Sequence, residues 1–153
     1  MRVLIERIRD GVLKIENKKE LKIKFGLLLF TGICKNDTDE EITWAANKIL
    51  NLRIFEDNSG KMNLSILDVK GDILVVSNFT LCADITKGNR PSFDNSEDKD
   101  KAKEKFDFFV KKLKESNLNV IEGEFGAYME VHHVNVGPVN ILLDTKEKFK
   151  KRS

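Results

Sequence analysis

Residues 73–80 read Ile73-Leu74-Val75-Val76-Ser77-Asn78-Phe79-Thr80, an unbroken apolar run that passes straight into a mostly polar one. Neighbouring side chains of a strand point to opposite faces, so a run that is apolar throughout belongs to a strand covered on both sides, in the middle of a sheet. Outward from it the pattern changes to alternation. Leu21, Ile23 and Phe25 fall on one face and Lys22 and Lys24 on the other, which predicts a half-solvated antiparallel strand. Further strands are expected at 3–8, 12–15, 27–33, 53–55, 128–134 and 139–143, with turns at Asp10-Gly11 and Asn17-Lys18-Lys19. Thr38-Asp39-Glu40-Glu41 is a capping-box pattern, and Ile42, Ala45, Ala46, Ile49 and Leu50 follow it at helical spacing. A second helix is expected from near Ser96 to near Ser116-Asn117, with Ala102, Phe106, Phe109, Val110 and Leu113 on its apolar face. The reading is an α/β fold, a mainly antiparallel β-barrel-like sheet with two packed helices.

A chain of 153 residues is long enough to bury one core without a metal, and no repeat or linker divides it. With 41% hydrophobic and 34% charged residues it reads as a globular protein and neither as a disordered nor as a membrane one. The N-terminus Met1-Arg2-Val3-Leu4-Ile5-Glu6-Arg7 carries charge where a signal peptide is apolar, so a cytoplasmic location is expected. Lys and Arg number 27 against 25 Asp and Glu, so any contact with nucleic acid has to be local. Local surplus is confined to the surroundings of Lys87 and Arg90 and to the stretch after residue 145, read as a solvated basic tail, 146–153, on a domain of residues 1–145. Cys34 and Cys82 lack the spacing of a metal or redox pair and read as two buried thiols, a bond between them being unexpected in a reducing compartment.

Phosphate-cradling loops, dinucleotide fingerprints, HExxH and GxSxG are all absent. The histidines, His132 and His133, are adjacent and point apart in a strand, so they cannot share a metal or act as one acid–base unit. A triad built on one of them has no local support. Polar chemistry at the end of a buried strand remains: the hydroxyls of Ser77 and Thr80, the amide of Asn78, and backbone N–H groups able to hold an oxyanion where strand pairing stops. From spacing alone, Ser77 and Thr80 read first as hydroxyls that satisfy backbone groups at a strand end. Gly137-Pro138 interrupts a strand-like stretch, since proline lacks the N–H a sheet needs, and reads as a turn, an edge or a protrusion.

Six segments in order resemble the D-aminoacyl-tRNA deacylase family over residues 1–145: Val3-Leu4-Ile5-Glu6-Arg7-Ile8, Asn51-Leu52-Arg53-Ile54-Phe55, Val75-Val76-Ser77-Asn78-Phe79-Thr80-Leu81, Lys87-Gly88-Asn89-Arg90-Pro91-Ser92-Phe93, Gly123-Glu124-Phe125-Gly126-Ala127-Tyr128-Met129 and Asn135-Val136-Gly137-Pro138-Val139. The resemblance implies a homodimer that hydrolyses the ester joining a D-amino acid, or glycine mischarged on tRNA(Ala), to the CCA end of tRNA, without metal, cofactor or membrane. In the family a cis Gly-Pro peptide enters the partner's pocket, accepts the substrate amino group and leaves no room for an L side chain. Carried over, Gly137 and Pro138 are that filter and Arg7 steadies it. Ser77, Asn78, Phe79 and Thr80 are the ester and adenosine pocket, and Ala102, Phe125 and Met129 line it. The substrate's own 2'-hydroxyl and bound water are implied to assist, and a single-stranded RNA end is suited to stacking on apolar surface. Two residues depart from the family's pattern: Asn78 stands where Gln is usual, and Asn140 where Thr is. The alternatives are a relaxed, animal-type deacylase with a trans Gly-Pro, a non-catalytic RNA-binding homologue and, from another class, a His- or Cys-dependent hydrolase.

Overall fold

The computed structural model describes residues 1–16 and 18–150. Two long strands, β1 (Arg2–Ile15) and β2 (Lys19–Gly32), form an antiparallel hairpin from Ile15 beside Lys19 to Arg2 beside Gly32. Where the sequence suggested a turn at Asp10-Gly11, β1 runs on, and Asp10 (φ 53°) sits in a bulge that shifts the register against the last strand between Arg9 and Val12. Asp-Gly suits a bulge as well as it suits a turn, which is why one strand looked like two. Asn17, in the second expected turn, lies outside the described residues.

Next come α1 (Asp39–Asn51), the short pair β3 (Phe55–Glu56) and β4 (Met62–Leu64), and a single-turn helix α2 (Ile66–Val69). Strand β5 (Asp72–Ser77), a 3₁₀ turn over Phe79–Cys82, α3 (Lys99–Lys114), β6 (Val120–Glu122), β7 (Met129–Asp144) and α4 (Thr145–Lys148) complete the order. The large sheet runs β6-β5-β2-β1-β7, with β1 antiparallel to both its neighbours and β5 parallel to both of its own. Antiparallel pairing dominates, as expected, but the sheet is mixed and open: β6 and β7 are its two edges. The parallel pairs arise because α1 lies between β2 and β5 in the chain and α3 between β5 and β6, and a helical crossover returns a strand in the same direction.

Both expected helical stripes are buried, and they lie in one core with Leu27, Leu29, Ile73 and Val75. The alternate residues Leu28, Leu74 and Val76 belong to a second cluster with Ile8, Leu13, Ile15 and Ile23, which contains no helix residue. The buried residues of that second cluster all come from strands, so the sheet packs on both faces without closing into a barrel. Only half of the capping box forms: Thr38 Oγ1 accepts from Glu41 N at 3.2 Å, while the buried Glu41 carboxylate turns to Lys146 Nζ (3.1 Å) and Thr145 Oγ1 (3.1 Å). Thus α4 and the start of the basic stretch are anchored to α1, with Phe149 edge-on to Trp44 at 5.9 Å; residues 151–153 lie outside the described ones.

Cys34 and Cys82 are not separate thiols. They form a disulfide with Cα atoms 5.7 Å apart. Parallel pairing sets Thr31 beside Ser77, so the segments that leave β2 and β5 run side by side and bring the cysteines together across a sequence separation of 48.

Candidate active site

Where β5 ends beside β2, a cleft of about 390 Å³ opens toward the start of α3. Its lining includes Thr31, Ile33, Ser77, Asn78 and Phe79 from the strand ends, with Ala102 of α3 and Phe125. Five of the residues singled out from the sequence, Ser77, Asn78, Phe79, Ala102 and Phe125, thus meet in one place. The size and mostly apolar lining suit a small organic ligand. Phe79 is 58% exposed and is braced edge-on by Phe93 with centroids 5.1 Å apart, while Phe125 leans on Phe106 at 5.7 Å.

The strand-end donors are only partly free. The Asn78 N–H is taken by Thr31 O at 2.7 Å, and the Asn78 side-chain carbonyl accepts from Thr80 Oγ1, so this side chain is held within the wall. Thr80 itself is not among the lining residues. The N–H groups of Phe79 and Thr80 open the 3₁₀ turn, and among the described residues neither donates to a backbone carbonyl. They are the unpaired donors that a helical start leaves, and they belong to the turn that forms the cleft wall.

Reasoning from sequence did not single out the other lining residues, Ser96, Glu97, Lys99, Gly126 and Ala127. Ser96 Oγ donates to Phe79 O at 3.2 Å. The Glu97 carboxylate is held below the usual range, first by the Asp98 N–H and then by Lys105 Nζ, each at 3.0 Å, so it stays ionised and neutralised. None of the cleft-lining residues is a His or Cys. His132 lies 56% exposed beside Glu130, and His133 faces Glu6.

Two predicted groups lie elsewhere. Met129 packs in the second hydrophobic cluster with Leu13 and Ile15, away from the cleft lining. Gly137 and Pro138 are exposed at the crest of a protrusion: Glu6 pairs with Asn140 and Ile8 with Asn135, so residues 136–139 of β7 loop out opposite Arg7 alone. The Gly137-Pro138 bond is cis. The guanidinium of Arg7, 5% exposed, donates from Nε to Val136 O (3.1 Å) and from Nη1 to Ile54 O (2.9 Å), and so pins the protrusion to the loop before β3. From Ser77 to the protrusion the path crosses β2 and β1, roughly 14 Å at strand spacing, and Arg7 lies roughly 13 Å along β1 from the level of Thr31. Gly137 and Pro138 are exposed and are not among the residues that line the cleft.

A family model described as D-Tyr-tRNA(Tyr) deacylase matches residues 4–144. The chain belongs to the D-Tyr-tRNA(Tyr) deacylase family. It is 51% identical over 150 residues to the D-aminoacyl-tRNA deacylase of Thermosipho melanesiensis, covering 97% of this chain and all of that one. To the D-aminoacyl-tRNA deacylase of Aquifex aeolicus it is 50% identical, over 96% and 99% of the two chains. A solved structure described as c-Myc DNA Unwinding Element Binding Protein superposes with a TM-score of 0.88 at 36% identity, covering 94% of this chain and 98% of that one. Both the cleft and the protrusion fall inside the residues that the deacylase family model matches.

Proposed function

We propose that the chain is a D-aminoacyl-tRNA deacylase, a hydrolase that breaks the ester between a D-amino acid, or glycine mischarged on tRNA(Ala), and the terminal adenosine of tRNA. Family membership supports the reaction. The observation that carries the site is the pairing of a mostly apolar cleft with an exposed, Arg7-pinned Gly137-Pro138 protrusion too far along the sheet to enter it. In a two-fold homodimer each protrusion enters the cleft of the other copy, and each site takes residues from both.

Adenine stacks on Phe79, with Ala102 and Phe125 lining the same cleft, an interaction worth about 1–3 kcal/mol per base. Water attacks the ester carbonyl, and the substrate's 2'-hydroxyl helps to move its proton. As the C–O bond breaks, the proton passes to the leaving 3'-oxygen, giving free amino acid and uncharged tRNA. The developing oxyanion is held by the N–H groups of Phe79 and Thr80, and a donor so placed contributes about 10²- to 10³-fold in rate. Carbonyl oxygens of the second copy's Gly137 and Pro138 accept the substrate amino group. With ester and amino group both fixed, the α-carbon has two directions left, and the one a D side chain takes is open while the one an L side chain takes is blocked; glycine passes. Such work places the protein in the cytoplasm with charged tRNA.

The test is release of amino acid from tRNA charged with D-Tyr, L-Tyr or Gly. The proposal expects release of D-Tyr and Gly and sparing of L-Tyr. No release of D-Tyr, or equal release of both enantiomers, would reject it.

A further inference from the structure

The protrusion is closed at its base by side chains as well as by Arg7. Asn135 and Asn140 flank residues 136–139, and their side-chain amides meet at 2.6 Å, bridging the two feet of the loop. Turned toward the acceptors around it, the Asn140 amide nitrogen lies 3.1 Å from Glu6 Oε1 and 3.1 Å from Val139 O. Glu6 is a β1 residue with a side chain only 15% exposed, and its second oxygen faces His133 Nε2 at 3.0 Å. In that orientation the two hydrogens of the nitrogen are shared among Glu6 Oε1, Val139 O and the Asn135 amide, whose own buried and otherwise unpartnered oxygen turns to face it, so Asn140 joins the feet of the loop to the strand beneath. Arg7 fixes the approach to Gly137 through Val136 O, whereas Asn140 fixes the departure from Pro138 through Val139 O.

We propose that Asn140, closed onto Glu6 and Asn135, is a positioning residue for the Gly137-Pro138 dipeptide and thereby sets the stringency against L-aminoacyl esters. The inference rests on the proposed deacylase function and on the dipeptide being its filter. Stringency of this kind depends on where two backbone carbonyls sit, and small displacements of positioning groups are costly to it. Glu6 and Asn140 are cross-strand neighbours, so the contact can be broken and rebuilt by exchanging the roles of carboxylate and amide.

Asn140→Asp sets a carboxylate against the Glu6 carboxylate and opens the base of the loop. Asn140→Asp with Glu6→Gln restores a donor facing an acceptor. Asn140→Ala removes the clamp without adding charge. For the wild-type dimer and the three variants, kcat and KM are measured on D-Tyr-tRNA and L-Tyr-tRNA, with urea midpoints to follow folding. The expected result is a D-to-L preference about tenfold lower in Asn140→Asp and Asn140→Ala, the scale of one lost hydrogen bond to a charged group, with most of it regained in the double variant. Preference unchanged in both single variants, or both rates falling together at constant ratio, would show a structural part only and overturn the proposal. If the wild-type protein itself fails to prefer the D-ester, the deacylase reading has failed, and this inference falls with it.

Discussion

Arg7→Lys separates charge from geometry at the root of the protrusion. The guanidinium reaches two carbonyls with two different nitrogens, Nε to Val136 O at 3.1 Å and Nη1 to Ile54 O at 2.9 Å, while its third nitrogen lies 3.7 Å from the half-exposed Glu56 carboxylate. An ammonium is a point donor that cannot reproduce this fork. Lysine keeps the charge and the bond to one carbonyl, and the other is left to whatever water can reach it. One charged hydrogen bond lost in a largely buried place costs about 2 kcal/mol. At a slope of about 2 kcal/mol per M, that moves the urea midpoint down by about 1 M. The cleft contains no part of Arg7, so KM for tRNA should stay within about twofold while the D-to-L preference falls by about tenfold or more, the factor of one such bond. The two measurements are urea denaturation followed by circular dichroism and deacylation of both enantiomers. A lysine variant with wild-type midpoint and wild-type preference would refute the pinning role assigned to Arg7.

Reduction of the Cys34–Cys82 disulfide, which closes a loop of 48 residues, should lower stability by about 4 kcal/mol, read as a urea midpoint with and without a dithiol. A methyl group added in Gly32→Ala would lie 2.9 Å from Asn78 O and 3.1 Å from Leu81 Cβ, so it should cost about 1–3 kcal/mol and slow D-ester hydrolysis by shifting the 3₁₀ wall, checked by denaturation and rate together. Burial opposes ionisation of Glu41, but Lys146, the Met1 amino group and Thr145 outweigh it and hold its pKa below the ordinary 4.5. Its contribution to stability is therefore full above about pH 4.5 and is lost as pH falls through the lower folded value, so Glu41→Gln should flatten the acid limb of a melting-temperature profile. His132→Ala, at an exposed site outside the cleft, should leave the deacylation rate unchanged, and a large loss would revive a His-dependent hydrolase.

Much of the fold was legible because burial leaves a period in the sequence. The stripes of α1 and α3 and the doubly apolar run at 73–76 each report the faces they bury, and all three are where the pattern put them. What was misread turned on residues whose chemistry serves two geometries. Asp10-Gly11 fits a bulge or a turn, and Glu41 fits a capping box or a long-range bond to Lys146. The disulfide left no local signal, since its cysteines meet only through the parallel pairing of β2 and β5. In the candidate site, the strand end at Ser77 and Asn78 could be read because it follows a conspicuous apolar run. The other lining residues could not, because Ser96, Glu97, Gly126 and Ala127 come from loops that α3 and the sheet carry there. Nor could the donor pattern, in which Thr31 O consumes the Asn78 N–H and, among the described residues, the next two N–H groups donate to no backbone carbonyl.

The central claim is that a working site combines the cleft of one copy with the Gly137-Pro138 of another, and mixing two inactive variants tests it most directly. Ala102→Phe fills the cleft and leaves the protrusion intact. In Gly137→Ala the new methyl would meet Arg7 Nη2 at 2.9 Å and Val139 Cγ2 at 2.8 Å, at a φ of +128° that L side chains rarely adopt, so the protrusion moves while the cleft stays open. Each variant alone should be nearly inactive on D-Tyr-tRNA. Unfolded together at equal amounts and refolded, they should regain about a quarter of the wild-type rate, because half the dimers are mixed and each of those holds one intact site. No recovery, from variants that refold into mixed dimers, would contradict a site shared between two copies.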